Sequence, residues 1–140
     1  MKLAISKAQE DISEVPVGAV IVHNNKVISF ANNLNIHNTD PTAHAEILAI
    51  RKACKILSTH ILNQCDIYVT LEPCAMCAQA ISFSKIRRLY FGAYNKKYGA
   101  IENGARILQF CHHIPEVYGG ILEEENIKLI TNFFKKLRRQ

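Results

Sequence analysis

Two short stretches of this chain carry side chains that bind metals and move protons. In DPTAHAE, residues 40–46, His44 and Glu46 follow an acidic-proline pair; in EPCAMC, residues 72–77, Cys74 and Cys77 follow a second one. Cysteines three positions apart on a helix present both sulfurs on one face, and the first turn directs unpaired N–H groups at them. A helix start carries roughly half a positive charge, and thiols so placed have pKa values well below about 8.5. Thiolate and imidazole together make a ligand set for zinc. Taken singly, each piece has a plainer reading. A lone histidine on an apolar helix is usually a hydrogen-bonded core residue, a lone Cys-x-x-Cys serves redox chemistry as readily as metal binding, and a lone Glu46 is a surface carboxylate. Together they differ, because in an α/β sheet the C-terminal ends of strands and the starts of the following helices meet at one edge. That placement lets His44, Cys74 and Cys77 converge on one ion.

Three protein ligands make a catalytic zinc site and four a structural one. Cys65 lies before the strand that leads to Cys74, and at about 3.3 Å per residue it sits roughly 20 Å away. Cys54 is ten residues along a helix from His44, about 15 Å at 1.5 Å per residue. Neither closes the shell, whereas Cys111, His112 and His113 stay open on spacing. An open fourth position holds water, whose pKa drops from about 15.7 to about 7 on zinc, giving hydroxide at neutral pH. That nucleophile needs a proton shuttle beside it. Glu46 and Glu72 are both within two residues of a ligand, and spacing does not choose between them.

The elements that must position these groups are legible in part. GAVIV and KVISFA flank His23-Asn24-Asn25, a hairpin signal because asparagine tolerates positive φ. Asp40-Pro41 is expected to open a helix over roughly 42–57, with an acidic N-cap and proline at the first helical position. DIYVTL, residues 66–71, is a β-branched run expected as a buried strand, and Glu72-Pro73 is expected to start the next helix, to about Ser84. RRLYFGA predicts a fourth strand, GARILQF a short helix, EVYGGIL a fifth strand, and EEENIKLITNFFKKLRRQ a closing amphipathic helix. Strands alternating with helices predict a three-layer α/β architecture with a mixed sheet.

Composition fits one domain over residues 1–140: 49% hydrophobic content is enough for a core without disulfides, and no repeat or linker interrupts it. The longest apolar run, VPVGAVIV, covers only residues 15–22, too short for a membrane span, and the opening residues turn polar after Ile5. Five cysteines, an odd number, match a reducing compartment, so a cytoplasmic protein is expected. The formal charge of +5 is concentrated in the terminal KKLRRQ. Such a tail suits a solvated helix end through the helix dipole, or a patch for nucleic-acid phosphates.

PTAHAEI with TLEPCAMC matches the known His-x-Glu and Pro-Cys-x-x-Cys signature of the zinc-dependent nucleobase deaminases. EVPVGAVIV, DPTAHAEI, YVTLEPCAMC, FGA and FFKKLRRQ extend the resemblance over nearly the whole chain, to the bacterial tRNA-specific adenosine deaminases. Free cytidine deaminases usually have cysteine where His44 stands. The resemblance implies the α/β/α cytidine deaminase-like fold with a mixed five-stranded sheet. It makes His44, Cys74 and Cys77 the ligands of one Zn2+ per subunit and Glu46, not Glu72, the proton shuttle. The implied reaction is hydrolytic deamination of adenosine to inosine at the wobble position of a tRNA anticodon. Asn33 would contact the base, and the basic terminus, with Arg138 and Arg139, would hold anticodon-loop phosphates. The resemblance also implies a homodimer whose partner helps form the RNA surface. Relative to the family, the N-terminal helix is about a turn shorter and HHIPEVYGGIL is several residues shorter, and Asn95 stands where many relatives have aspartate, a change bearing on RNA-over-DNA preference. Two other functions fit parts of the pattern: a free nucleobase or nucleoside deaminase of the guanine deaminase type, and a non-catalytic zinc module that binds RNA.

Overall fold

Two asparagines turn the first hairpin. Asn24 and Asn25 sit at φ of 51° and 60°, the left-handed pair that a two-residue type I′ turn requires. They join β1 (Gly18–His23) to β2 (Lys26–Asn32), which pair antiparallel as expected. A computed structural model describes residues 1–140 and places these strands in a five-stranded sheet of order β2-β1-β3-β4-β5. The other strands are β3 (Cys65–Leu71), β4 (Arg88–Ala93) and β5 (Glu116–Tyr118). The β1/β3 pair is antiparallel, whereas β3/β4 and β4/β5 are parallel, so the sheet is mixed.

Strand alternation sends one set of side chains to each face. On one face Ala19, Ile21, Ile67, Val69, Leu89 and Phe91 join a buried core of 19 residues. Into it α2 (Ala45–Leu57) contributes Ala45, Ala49 and Ala53, and α3 (Ala75–Phe83) contributes Ala78 and Ile81. The alanines let α2 sit close enough for the Ser29 hydroxyl on β2 to donate to the Ala49 carbonyl, 2.8 Å away. On the other face small residues admit two more helices. A Cβ at Gly18 would run into the Ala4 carbonyl of α1 (Lys2–Ala8), and a Cβ at Gly92 would run into the Asn126 amide of α4 (Glu123–Arg138). The three expected layers are therefore α1 and α4, the sheet, and α2 with α3. A Gly18→Ala variant is expected to lose about 1–3 kcal/mol of stability, because the new methyl would also lie 2.7 Å from the Ala8 amide nitrogen. A lower urea midpoint at unchanged m-value is the check.

Two expected helix starts move. Neither acidic-proline pair begins a helix: α2 starts at Ala45 with His44 as its N-cap, and α3 starts at Ala75 with Cys74 as its N-cap. The Asp40 carboxylate instead accepts from the Thr42 amide (2.8 Å) and hydroxyl (2.7 Å), a local turn that competes with helix. Glu72 is engaged by a distant segment described below. Two other expectations shorten. The GARILQF helix is a 3₁₀ turn, α-helix being absent there, over Ile107–Phe110 behind a left-handed Arg106. The fifth strand ends at Tyr118, with Gly120 at φ 79° turning the chain. No helix is long and apolar enough to cross a membrane.

Candidate active site and metal centre

The displaced helix starts aim the metal-capable side chains at each other. Cys74 and Cys77 follow the end of β3, His44 caps the neighbouring helix, and Nδ1 of His44 lies 3.6 Å from the Cys74 sulfur and 3.5 Å from the Cys77 sulfur. All three ligand atoms fall within 4.8 Å of one another. A tetrahedral zinc with bonds of about 2.1 Å to nitrogen and about 2.3 Å to sulfur spans N···S edges of about 3.6 Å. The donor set therefore fits zinc in both chemistry and spacing.

No fourth side chain joins the three. Cys65 is buried in the core and Cys54 packs against it. Cys111 points its thiol at the Gln79 side chain and the Ile107 carbonyl, and His113 bonds the Ile86 carbonyl at 2.6 Å. The candidates that spacing left open are thus elsewhere, and three side chains converge on the point where an ion would sit. The thiols are already polarised. A hydrogen bond from Cys77 outweighs burial and, with the bond to His44, lowers Cys74 to about 4. The same sharing, with burial, pushes the Cys77 thiol up. The bond to Cys74 likewise raises His44 against the opposing effect of burial. A divalent ion at this point favours both thiolates.

The two carboxylates that spacing did not separate have opposite surroundings. Glu46, in the first turn of α2, is 4% exposed, and burial pushes its carboxyl up to about 7. A carboxyl poised there gives and takes protons near neutral pH. Glu72 is held below the usual carboxylate range: burial acts to raise it, but hydrogen bonds from Asn103, Asn95 and Glu102 outweigh that. Its oxygens are fully occupied by donors.

His44, Glu46, Cys74 and Asn33 all line a cavity of about 600 Å³. Asn33 has less freedom than an unattached amide. Its Oδ1 accepts from the Ala45 amide at 2.9 Å and its Nδ2 donates to the Val15 carbonyl at 3.2 Å, so it also secures the start of α2. One N–H and one lone pair remain for a ligand. Asn95, from the segment after β4, lies on the same wall as Tyr98. From α4, Phe133, Phe134 and Leu137 line the cavity, whereas Arg138 and Arg139 are exposed at the helix end beyond it. The sequence reading did not single out Tyr98, Phe133, Phe134 or Glu14. The apolar stripe of the last helix signals the two phenylalanines. Glu14 gives no local signal, since its role is to accept from the Ile36 and His37 amides at 2.8 and 2.9 Å across the chain.

Comparison with known proteins agrees with this geometry. The family model for the cytidine and deoxycytidylate deaminase zinc-binding region matches residues 1–93. The tRNA-specific adenosine deaminase of Agrobacterium fabrum is 47% identical over 142 residues, covering 99% of this chain and 93% of that protein. The enzyme of the same name from Bacillus subtilis is 42% identical over 144 residues, covering 100% and 89%. A structure from studies of A-to-I editing by tRNA:A34 deaminases at the wobble position superposes with a TM-score of 0.90 at 48% identity, over 92% of this chain and 96% of the other. A guanine deaminase from Bacillus subtilis is more distant, with a TM-score of 0.64 at 28% identity over 99% and 91%. By family model, sequence identity and fold, the chain belongs to the cytidine and deoxycytidylate deaminase family, among relatives that are tRNA-specific adenosine deaminases.

Proposed function

We propose that this protein deaminates adenosine to inosine at the wobble position of a tRNA anticodon. The observation that carries the chemistry is the open three-ligand set of His44, Cys74 and Cys77 beside a buried Glu46 in one cavity. The near full-length identity to tRNA-specific adenosine deaminases supports the substrate. His44, Cys74 and Cys77 would hold zinc, which would supply the Lewis acidity that makes water a nucleophile near neutral pH. Glu46 accepts the proton that water gives up as its oxygen bonds to C6 of adenine. It delivers that proton to the ring nitrogen, then moves one to the departing amine, so adenosine and water become inosine and ammonia. The spare N–H and lone pair of Asn33 orient the purine edge, and the apolar wall from α4 excludes bulk water from a base splayed out of the loop.

Arg138 and Arg139 act outside the cavity, on the phosphates of the anticodon loop. Replacing both with alanine is expected to raise KM for a tRNA hairpin with little change in kcat. The slope of log affinity against log salt should fall by about 0.7 to 0.9 per lost phosphate contact. A homodimer in the cytoplasm, where tRNA is modified, completes the proposal. The deciding experiment compares inosine and ammonia release from a tRNA anticodon hairpin with release from free adenosine, guanine and cytidine. Turnover of the hairpin alone is expected; fast ammonia release from guanine would instead make the chain a free-base deaminase.

A further inference from the structure

Glu72 takes no part in the proton chemistry, yet its side chain is only 1% exposed and its oxygens gather donors from one remote segment. Its backbone amide extends the β3/β4 ladder by donating to the Ala93 carbonyl at 2.8 Å. The carboxylate then reaches the chain that follows β4. Oε1 accepts from the Asn95 amide at 3.1 Å and the Asn103 side-chain Nδ2 at 2.7 Å. Oε2 accepts from the amides of Ile101, Glu102 and Asn103 at 3.1, 2.9 and 3.0 Å. Both ends of the 95–103 segment are thereby tied to one carboxylate. Two further features tighten the arrangement. The Ala100 amide donates to the Pro73 carbonyl at 2.9 Å. A Cβ at Gly99 would come within 2.6 Å of the Glu72 carboxyl carbon, so only glycine fits there.

The segment so held carries Asn95 and Tyr98, which line the cavity. Asn95 in turn braces the turn from within, its Oδ1 accepting from the Tyr98 amide at 3.0 Å and its carbonyl from the Gly99 amide at 2.8 Å. Tyr98 remains 66% exposed, with the Lys97 ammonium 5.1 Å from its ring centroid, so an aromatic surface beside a cation is offered to a base. Glu72 is also two residues before Cys74. One side chain therefore joins the strand end that leads into the metal centre to the wall that meets substrate.

We infer that Glu72 is a positioning residue for substrate, whose carboxylate fixes the 95–103 segment and so sets Asn95 and Tyr98 at the cavity wall. The inference rests on the deaminase reading above. It assigns Glu72 to substrate binding and leaves the proton transfers to Glu46. A glutamine at position 72 keeps the size but turns one acceptor oxygen into a donor that faces amide N–H groups or the Asn103 side chain. Alanine at Asn103 removes a single bond from the far side, away from the cavity and the ligands.

The test uses the full-length, zinc-loaded protein and its Glu72→Gln and Asn103→Ala variants. It measures zinc per chain, hairpin affinity by fluorescence anisotropy, KM and kcat for inosine formation, and amide exchange over 95–103. Both variants are expected to keep their zinc, exchange faster over 95–103, and weaken hairpin Kd and KM at least about tenfold with kcat within about threefold. Glu72→Asp, which keeps the acceptors on a shorter stem, should lie between parent and Glu72→Gln. Faster exchange with Kd and KM unchanged would overturn the inference, leaving Glu72 a fold residue only; so would a fall in kcat at constant KM. Should Glu72→Gln not fold, Asn103→Ala decides by the same readings. If the parent forms no inosine, the deaminase reading fails separately, and exchange with hairpin anisotropy still decides whether Glu72 sets binding.

Discussion

A Glu46→Ala variant is expected to keep one zinc per chain while inosine formation falls by at least about 10²–10⁴-fold, the contribution of a positioned acid–base group. The proposed ligand atoms belong to His44, Cys74 and Cys77, which converge without Glu46, so truncating Glu46 should leave the metal centre in place and remove only proton transfer. Glu46→Gln should be as inactive, since it preserves shape but carries no exchangeable acid. A stability measurement gives an independent reading in metal-stripped protein. Burial raises the Glu46 carboxyl to about 7 in the folded state, against about 4.3 when unfolded. The parent therefore loses stability as pH rises from about 4.3 through about 7, because ionising the buried group favours unfolding. Glu46→Gln lacks that penalty, and its melting midpoint should overtake the parent's across this window. Undiminished inosine formation by Glu46→Ala would remove the assigned mechanism, whereas a parent that keeps zinc and binds the hairpin but forms no inosine would favour a zinc module that only binds RNA.

The second large effect concerns the ligands. Cys77→Ala is expected to lose zinc affinity by more than the roughly 10–100-fold that removal of an outer partner of a metal ligand costs, and inosine formation should fall to background. Cys77 is fully buried at 0% exposure beside the Cys74 and His44 groups, so no water replaces its sulfur without rearranging α3. Chelating the zinc from the parent should abolish activity while leaving far-ultraviolet circular dichroism largely unchanged, because the 19-residue core forms without any of the three ligands. Cys111→Ala is the control: its thiol bonds Gln79 and Ile107 and should be dispensable for metal. Metal analysis of the two variants checks the assignment. Zinc retained at one per chain in Cys77→Ala, or lost in Cys111→Ala, would redraw the ligand set.

Much of the arrangement is carried by short-range rules. The asparagine hairpin, the β-branched run of β3 and the alternating strands and helices obey local preferences of turn, period and side-chain branching, so they are readable from neighbours in the chain. The helix starts are a different matter. Asp40 and Glu72 both look like N-caps because a carboxylate before proline and an apolar run usually is one. Asp40 instead closes a turn on Thr42, and Glu72 serves amides about 23 to 31 residues onward, counting from Asn95 to Asn103. At Asp40 one local preference, the turn, won over another; at Glu72 long-range hydrogen bonds overrode the local signal, and no short window of sequence contains both partners.

The residues alone determined the chemistry: an imidazole and two thiols at helix starts, with a glutamate two positions from the histidine, form a zinc and proton-shuttle set wherever a sheet edge gathers them. Spacing left the two carboxylates equal, and only the tertiary structure shows their different surroundings, burial for Glu46 and donors brought from afar for Glu72. It likewise excluded Cys111, His112 and His113 from the ligand shell and enlisted Tyr98, Glu14 and the α4 phenylalanines around the cavity. Side-chain identity sets what a group is able to do; folding sets its neighbours, and the neighbours fix its charge, its partners and its reach.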